Sequence, residues 1–120
     1  MSYDKYKLIT GEEELDRVLK SLEKTKELSI DLETTSVEPM LADIVGIALC
    51  PEPHVSYYVP VAHRALADSG TTQLNLDSVL AKLKPILENR DISVIGQNLK
   101  YEYVVFRRYG IRIENISLDA

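Results

Sequence analysis

Glu27-Leu28-Ser29-Ile30-Asp31-Leu32-Glu33-Thr34 is the stretch on which the reading of the chain turns. Leu28, Ile30 and Leu32 alternate with Ser29, Asp31 and Glu33, the two-residue period of a strand with one face in a core. The spacing predicts a strand over Glu27–Glu33. Residues two apart on a strand project from the same face, so the carboxylates of Asp31 and Glu33 leave it side by side. Paired hard oxygen donors suit Mg²⁺ or Mn²⁺ better than zinc, which favours nitrogen and sulfur. Two solvated acids at a frayed strand end have the same spacing, and by spacing alone that plainer arrangement is the commoner.

Working outward, the chain alternates strands and helices. Lys5–Ile9 is a strand, and Thr10-Gly11-Glu12-Glu13 has the pattern of a capping box opening a helix. Leu15, Val18, Leu19 and Leu22 then fall on one helical face. Thr34–Ala42, with Pro39, is a loop. Ile44–Leu49 and Val55–Val61 flank Pro51-Glu52-Pro53 as the arms of an antiparallel hairpin. Ala62–Gln73 is expected to be a long loop. Leu76, Val79, Leu80, Leu83, Ile86 and Leu87 form a second helical stripe, with Pro85 a potential kink. Ser93–Gly96 is a short strand, Asn98 caps a helix running to about Tyr109, and Gly110 stands at its C′ position. Ile111–Ile113 begins one more strand. The order is β-α-β-β-β-α-β-α, an α/β chain with a mixed sheet and flanking helices.

The 120 residues, 45% hydrophobic and 28% charged, are an ordinary globular mixture and fit one domain spanning 1–120. A chain this long buries about two-thirds of its unfolded surface, enough for a core without staples. The single cysteine, Cys50, excludes an internal disulfide framework and a cysteine metal cluster. The longest apolar run, around Ile44–Cys50, is too short to cross a bilayer, and Met1–Thr10 has no apolar segment behind a basic start. The expectation is a cytoplasmic domain with no membrane partner. Net charge is -5, from 19 acidic and 14 basic residues, which argues against a protein that coats a phosphate backbone. A nucleic acid remains possible as a substrate, because a site for divalent cations must itself be acidic.

Gly96-Gln97-Asn98-Leu99-Lys100-Tyr101-Glu102 is the second cluster. With Asn98 as cap, Asn98, Tyr101, Glu102 and Val105 share a helix face, and the dipole favours Glu102 as an anion. A capping asparagine, a core tyrosine and a surface glutamate account for the same residues. His63 reads as a structural loop histidine, His54 as a turn residue and Cys50 as a small core side chain. Lys100, Arg107, Arg108 and Arg112 fit a solvated helix face better than a basic rim for DNA.

Taken together, the motifs resemble one family. Asp31-Leu32-Glu33-Thr34 matches its Asp-x-Glu-Thr motif, and Gly96-Gln97-Asn98-Leu99-Lys100-Tyr101 followed by an acid matches its second. Ser2-Tyr3-Asp4, Asp43–Ile47, Tyr58–His63, Leu83-Lys84-Pro85 and Tyr109-Gly110-Ile111 fall in the family's order as well. The family is the 3′→5′ proofreading exonuclease domain of bacterial DNA polymerase I, among the DEDD nucleases, with a ribonuclease-H-like fold. The resemblance implies that Asp31 bridges two divalent ions, Mg²⁺ or Mn²⁺, that Glu33 binds the first and that Glu102 contacts the second. It implies that Thr34 touches the terminal nucleotide, that Val37 wedges against the 3′ bases, and that Gln97, Asn98 and Tyr101 lie on the substrate side. The implied partners are single-stranded or frayed 3′ DNA ends and the polymerase domain of the same parent chain, in the bacterial cytoplasm at the nucleoid.

Two departures stand out. Glu102 replaces the family's usual aspartate, and the third motif, Tyr-x-x-x-Asp, is absent before Ala120. The chain therefore reads as the N-terminal part of an exonuclease domain, expected to be inactive alone. The alternatives are a non-catalytic module bracing the polymerase domain and a DEDD nuclease acting on RNA.

Overall fold

A computed structural model describes residues 5–117. Ser2-Tyr3-Asp4 and Leu118-Asp119-Ala120, which entered the sequence argument, lie outside the described residues. The elements are β1 (Lys5–Leu8), α1 (Glu12–Leu22), β2 (Glu27–Thr34), β3 (Ile44–Glu52), β4 (Val55–Pro60), α2 (Arg64–Asp68), α3 (Leu76–Leu87), β5 (Ser93–Ile95) and α4 (Leu99–Arg108). The strands form one open sheet in the order β1-β4-β3-β2-β5. β2–β3 and β3–β4 pair antiparallel, the latter as the expected hairpin, while β1–β4 and β2–β5 pair parallel. This is the expected ribonuclease-H-like α/β arrangement.

Register assigns each sheet face. Leu32 pairs with Ile47 and Ile30 with Leu49, and Ile47 in turn pairs with Val59. These side chains are buried, together with Leu15, Val18, Leu19 and Leu22 of α1, Val79, Leu80, Leu83, Ile86 and Leu87 of α3, and Val105 and Phe106 of α4. Removal of this apolar surface from water is the main stabilising term. The opposite face carries Ser29, Asp31 and Glu33 of β2, beside Cys50, Ala48 and Gly46 of β3. β2 is an interior strand, flanked by β3 and β5; its acids lie past the β5 pairing at Glu27, Leu28 and Ser29 and are held by pairing of Asp31 with Ala48 and Glu33 with Gly46 of β3.

Several local expectations are corrected. No capping box forms: Gly11, not Thr10, is the N-cap of α1, and no side chain caps it. The first turn is held by its dipole-matched acids Glu12, Glu13 and Glu14 and by packing of the apolar face. Ala62–Gln73 contains the short helix α2, none of whose residues is buried, which is why no apolar period marks it. Pro85 sits in the last turn of α3, which continues to Leu87. Ile111–Ile113 is no strand; the segment returns to the sheet only through a single parallel bridge between Val94 and Ile116. Cys50 lies half-buried on the acidic sheet face, its thiol 3.5 Å from the Ser56 hydroxyl, rather than in the core. Gly110 has φ +84, the left-handed conformation expected just past α4.

Candidate active site

Asp31 and Glu33 stand exposed on the sheet face away from the core. Register slips between Glu33 and Thr34, where Glu33 pairs with Gly46 but Thr34 with Ile44. Such irregularities re-aim side chains at the ends of strands. The strand therefore changes course directly after its second acid.

Glu102 is the one buried charged residue among those described, at 2% exposure. Of the two readings the sequence left open for Glu102, a surface glutamate and a site acid, burial excludes the first. Desolvation, and then the charge of Asp31 and its hydrogen bond, push the Glu102 carboxyl up to about 7, against a downward pull from the Leu32 backbone. Near neutrality Glu102 is therefore close to half protonated, with Asp31 as its hydrogen-bond partner. Its other oxygen, Oε1, is buried with no hydrogen-bond partner. Gly96 makes room for it: a Cβ there would lie 3.4 Å from Oε1 and 2.9 Å from the Ile30 carbonyl.

Glu33 turns the other way. Its Oε2 accepts a hydrogen bond from the Tyr58 hydroxyl at 3.1 Å and lies 3.6 Å from His63 Nε2. The rings of Tyr58 and His63 meet edge to face, with centroids 6.0 Å apart. His63 is clamped through its backbone by the Gln73 amide, which accepts from its N–H and donates to its carbonyl. Sequence reasoning left Tyr58 and His63 outside the site, although Tyr58-Val59-Pro60-Val61-Ala62-His63 is one of the segments that carry the family resemblance. The carboxylates thus follow one another across the sheet. Glu33 leans over Gly46 of β3 toward β4, Glu102 lies beside Gly96 just past β5, and Asp31 stands between them on β2.

Thr34, Val37, Asn98 and Tyr101 line one open cleft of about 370 Å³ beyond the end of β2, together with Thr35 and Ser36. Tyr101 and Thr34 share a short hydroxyl–hydroxyl contact, and both donate to the Ser36 carbonyl, tying the loop to the first turn of α4. Val37 is 96% exposed at the rim. Gln97 is exposed and is not part of the lining. Asn98 occupies the N-cap of α4, but its side chain makes no capping bond, leaving the amide to the cleft. Arg108 is exposed, as expected of a solvated helix face, and its guanidinium also donates to the Pro39 and Ala42 carbonyls at 2.9 and 2.6 Å. A larger hollow of about 590 Å³, lined by Tyr6, Ser29, Cys50 and Ile95 among others, holds none of these residues.

The donors fit a hard divalent cation. They are all carboxylate oxygens, and the buried, unpartnered Oε1 of Glu102 beside Asp31 lacks the partner a cation would provide. Among the described residues no three such side chains close around a single point, in keeping with the divergence of Glu33 and Glu102 to either side of Asp31.

An open mixed sheet with acids on an interior strand, met by a third acid from a helix, is the ribonuclease-H-like architecture of the DEDD nucleases. Residues 6–119 match the profile of the 3′-5′ exonuclease family of the DNA polymerase A type, and the chain belongs to that family. The family's general chemistry is two-metal-ion exonucleolysis. The chain is 34% identical over 117 residues to DNA polymerase I of Pseudomonas aeruginosa, covering 96% of this chain and 13% of that protein. It is 31% identical over 106 residues to DNA polymerase I of Borreliella burgdorferi, covering 88% and 11%. It thus spans about an eighth or less of the curated relatives it matches. Among solved structures it is similar in fold to RNase D of Trypanosoma brucei, with a TM-score of 0.71 at 15% identity over 95% of this chain and 37% of that one. RNase D of Escherichia coli gives 0.67 at 14% identity over 92% and 26%. No helix among the described residues is long and apolar enough to cross a membrane.

Proposed function

We propose that this domain removes nucleotides from single-stranded or frayed 3′ DNA ends by two-metal hydrolysis, as the proofreading part of a bacterial DNA polymerase I acting on the nucleoid in the cytoplasm. The observation that carries the reading is the buried, unpartnered Oε1 of Glu102 beside Asp31, on the same side of β2 as Gly96. Bound Mg²⁺ or Mn²⁺ supplies an activated water and charge neutralisation at the leaving 3′ oxygen. Asp31, standing between the other two acids, would serve both ions, with Glu33 on the first and Glu102 on the second. Glutamate is one methylene longer than the family's aspartate, and from α4 it reaches Asp31.

Thr34 and Tyr101, fixed to each other and to Ser36, give the terminal nucleotide a rigid polar floor. Val37 at the rim offers an apolar edge to an unstacked base, and Asn98 and Gln97 provide amides at the first turn of α4. The 120-residue chain alone is expected to be inactive. The test is digestion of 5′-labelled single-stranded DNA by a polymerase chain that carries this domain. Stepwise shortening from the 3′ end that depends on Mg²⁺ and is abolished by Asp31→Ala is the expected result. Undiminished activity in Asp31→Ala, or a preference for RNA ends, overturns the assignment.

A further inference from the structure

Glu33 has no apparent reason to hold one orientation: it is exposed, on the open face of the sheet, at a point where register slips. Yet its carboxylate is engaged from a strand that is not its neighbour. In the order β4-β3-β2, Tyr58 reaches across β3 to donate to Glu33 Oε2 at 3.1 Å. The residue of β3 lying beneath this crossing is Gly46, the register partner of Glu33. A Cβ on Gly46 would fall 1.9 Å from the Tyr58 hydroxyl oxygen and 2.3 Å from the ring carbon that bears it. The glycine is therefore a window: any side chain there occupies the space of the phenol. Tyr58 itself is buried at 8% exposure, so its ring is fixed by packing rather than by the contact it makes. His63 Nε2, 3.6 Å from the same Oε2, closes the far side.

We propose that Tyr58, through the gap left by Gly46, is a positioning residue for Glu33. It holds Oε2 and so fixes the rotamer in which Glu33 would meet a divalent cation. This deepens the exonuclease reading and rests on it. The physical logic is that a metal-ligating carboxylate binds well when an outer partner fixes its rotamer, and loss of such a partner lowers metal affinity by about 10–100-fold. Tyr58 is not a catalytic residue in this scheme, since it touches neither cation nor substrate. An exposed glutamate without it samples several rotamers, and the ordering cost then falls on cation binding.

The experiment compares the wild-type chain with Tyr58→Phe and Gly46→Ala. Two quantities are read by NMR: side-chain order of Glu33 from carbon relaxation without metal, and Mn²⁺ affinity from paramagnetic broadening, with Asp31→Ala as control. Tyr58→Phe keeps the buried ring and removes only the hydroxyl, so an unchanged amide spectrum elsewhere marks an intact fold. The expected result is loss of Glu33 order in both variants together with an Mn²⁺ affinity lower by about 10–100-fold. Gly46→Ala reaches the same outcome by displacing the ring, which separates loss of the contact from loss of the hydroxyl as such. Glu33 as ordered in Tyr58→Phe as in wild type overturns the proposal, as does an Mn²⁺ affinity that survives the change. Absence of any Asp31-dependent broadening in the wild-type chain counts instead against the metal-site reading, and Glu33 order in the variants still decides whether Tyr58 holds it.

Discussion

Replacing Glu102 by glutamine should flatten the dependence of stability on pH. Burial and Asp31 raise the Glu102 carboxyl from 4.5 to about 7 in the folded chain, while the unfolded chain releases the proton near 4.5. Between those two values the native state binds more protons than the unfolded state, so stability contributed by this group falls as pH rises. It is fully present below 4.5, declines through the interval and levels off above about 7. The difference amounts to on the order of 3 kcal/mol at 1.36 kcal/mol per tenfold change in proton affinity. Glutamine cannot ionise, so Glu102→Gln lacks this decline, while the titrating groups away from Asp31 are unchanged. Urea unfolding without metal, at about pH 5 and about pH 8, measures it. The stability of wild type relative to Glu102→Gln should fall by on the order of 3 kcal/mol between the two conditions. Parallel pH profiles for the two proteins would refute both the burial argument and the influence of Asp31 on Glu102.

Phe106→Ala should cost about 3–5 kcal/mol in the same urea assay, because Phe106 is fully buried where α4 meets the core. A loss below about 1 kcal/mol would mean that α4, and Glu102 with it, is not anchored as described. Arg108→Ala should loosen the loop that follows β2, since the guanidinium holds the Pro39 and Ala42 carbonyls. Loss of about 1 kcal/mol there corresponds to roughly fivefold faster exchange of the Leu41 amide, readable by hydrogen exchange, with the core amides unaffected.

The parts of the fold that sequence reveals are those where one side chain's environment is set by its near neighbours. The alternation of Leu28, Ile30 and Leu32 with Ser29, Asp31 and Glu33 locates β2 because a paired strand has only two faces. Leu15, Val18, Leu19 and Leu22 locate α1 for the same reason, although its start was misread. Thr10 has the right chemistry for a cap, but the chain enters the helix one residue later, at Gly11. α2 has no buried residue and so leaves no apolar signature.

The site divides along the same line. That Asp31 and Glu33 share a face follows from spacing alone. The burial of Glu102 does not, because it depends on how α4 packs beside β2 and on Gly96 leaving space for Oε1. Nor does the Tyr58–Glu33 bond, which joins residues 25 apart in sequence across an intervening strand. In the sequence Gly46 is one residue of the strand Ile44–Leu49 and of the matching segment Asp43–Ile47; only register shows that it lies under the phenol. One signal was present and unused: a glycine inside a strand marks a place where another group comes close.

Mn²⁺ titration of the chain at about pH 8, followed by amide NMR with Asp31→Ala as control, tests the central claim most directly. At this pH Glu102 is largely ionised and free to receive a cation. The two-metal reading predicts broadening centred on Asp31, Glu33 and Glu102, spreading to Leu32 and Gly96, and absent in the control. Broadening confined to the surface acids Glu12 and Asp16 around Lys82, or broadening that persists without Asp31, would contradict it.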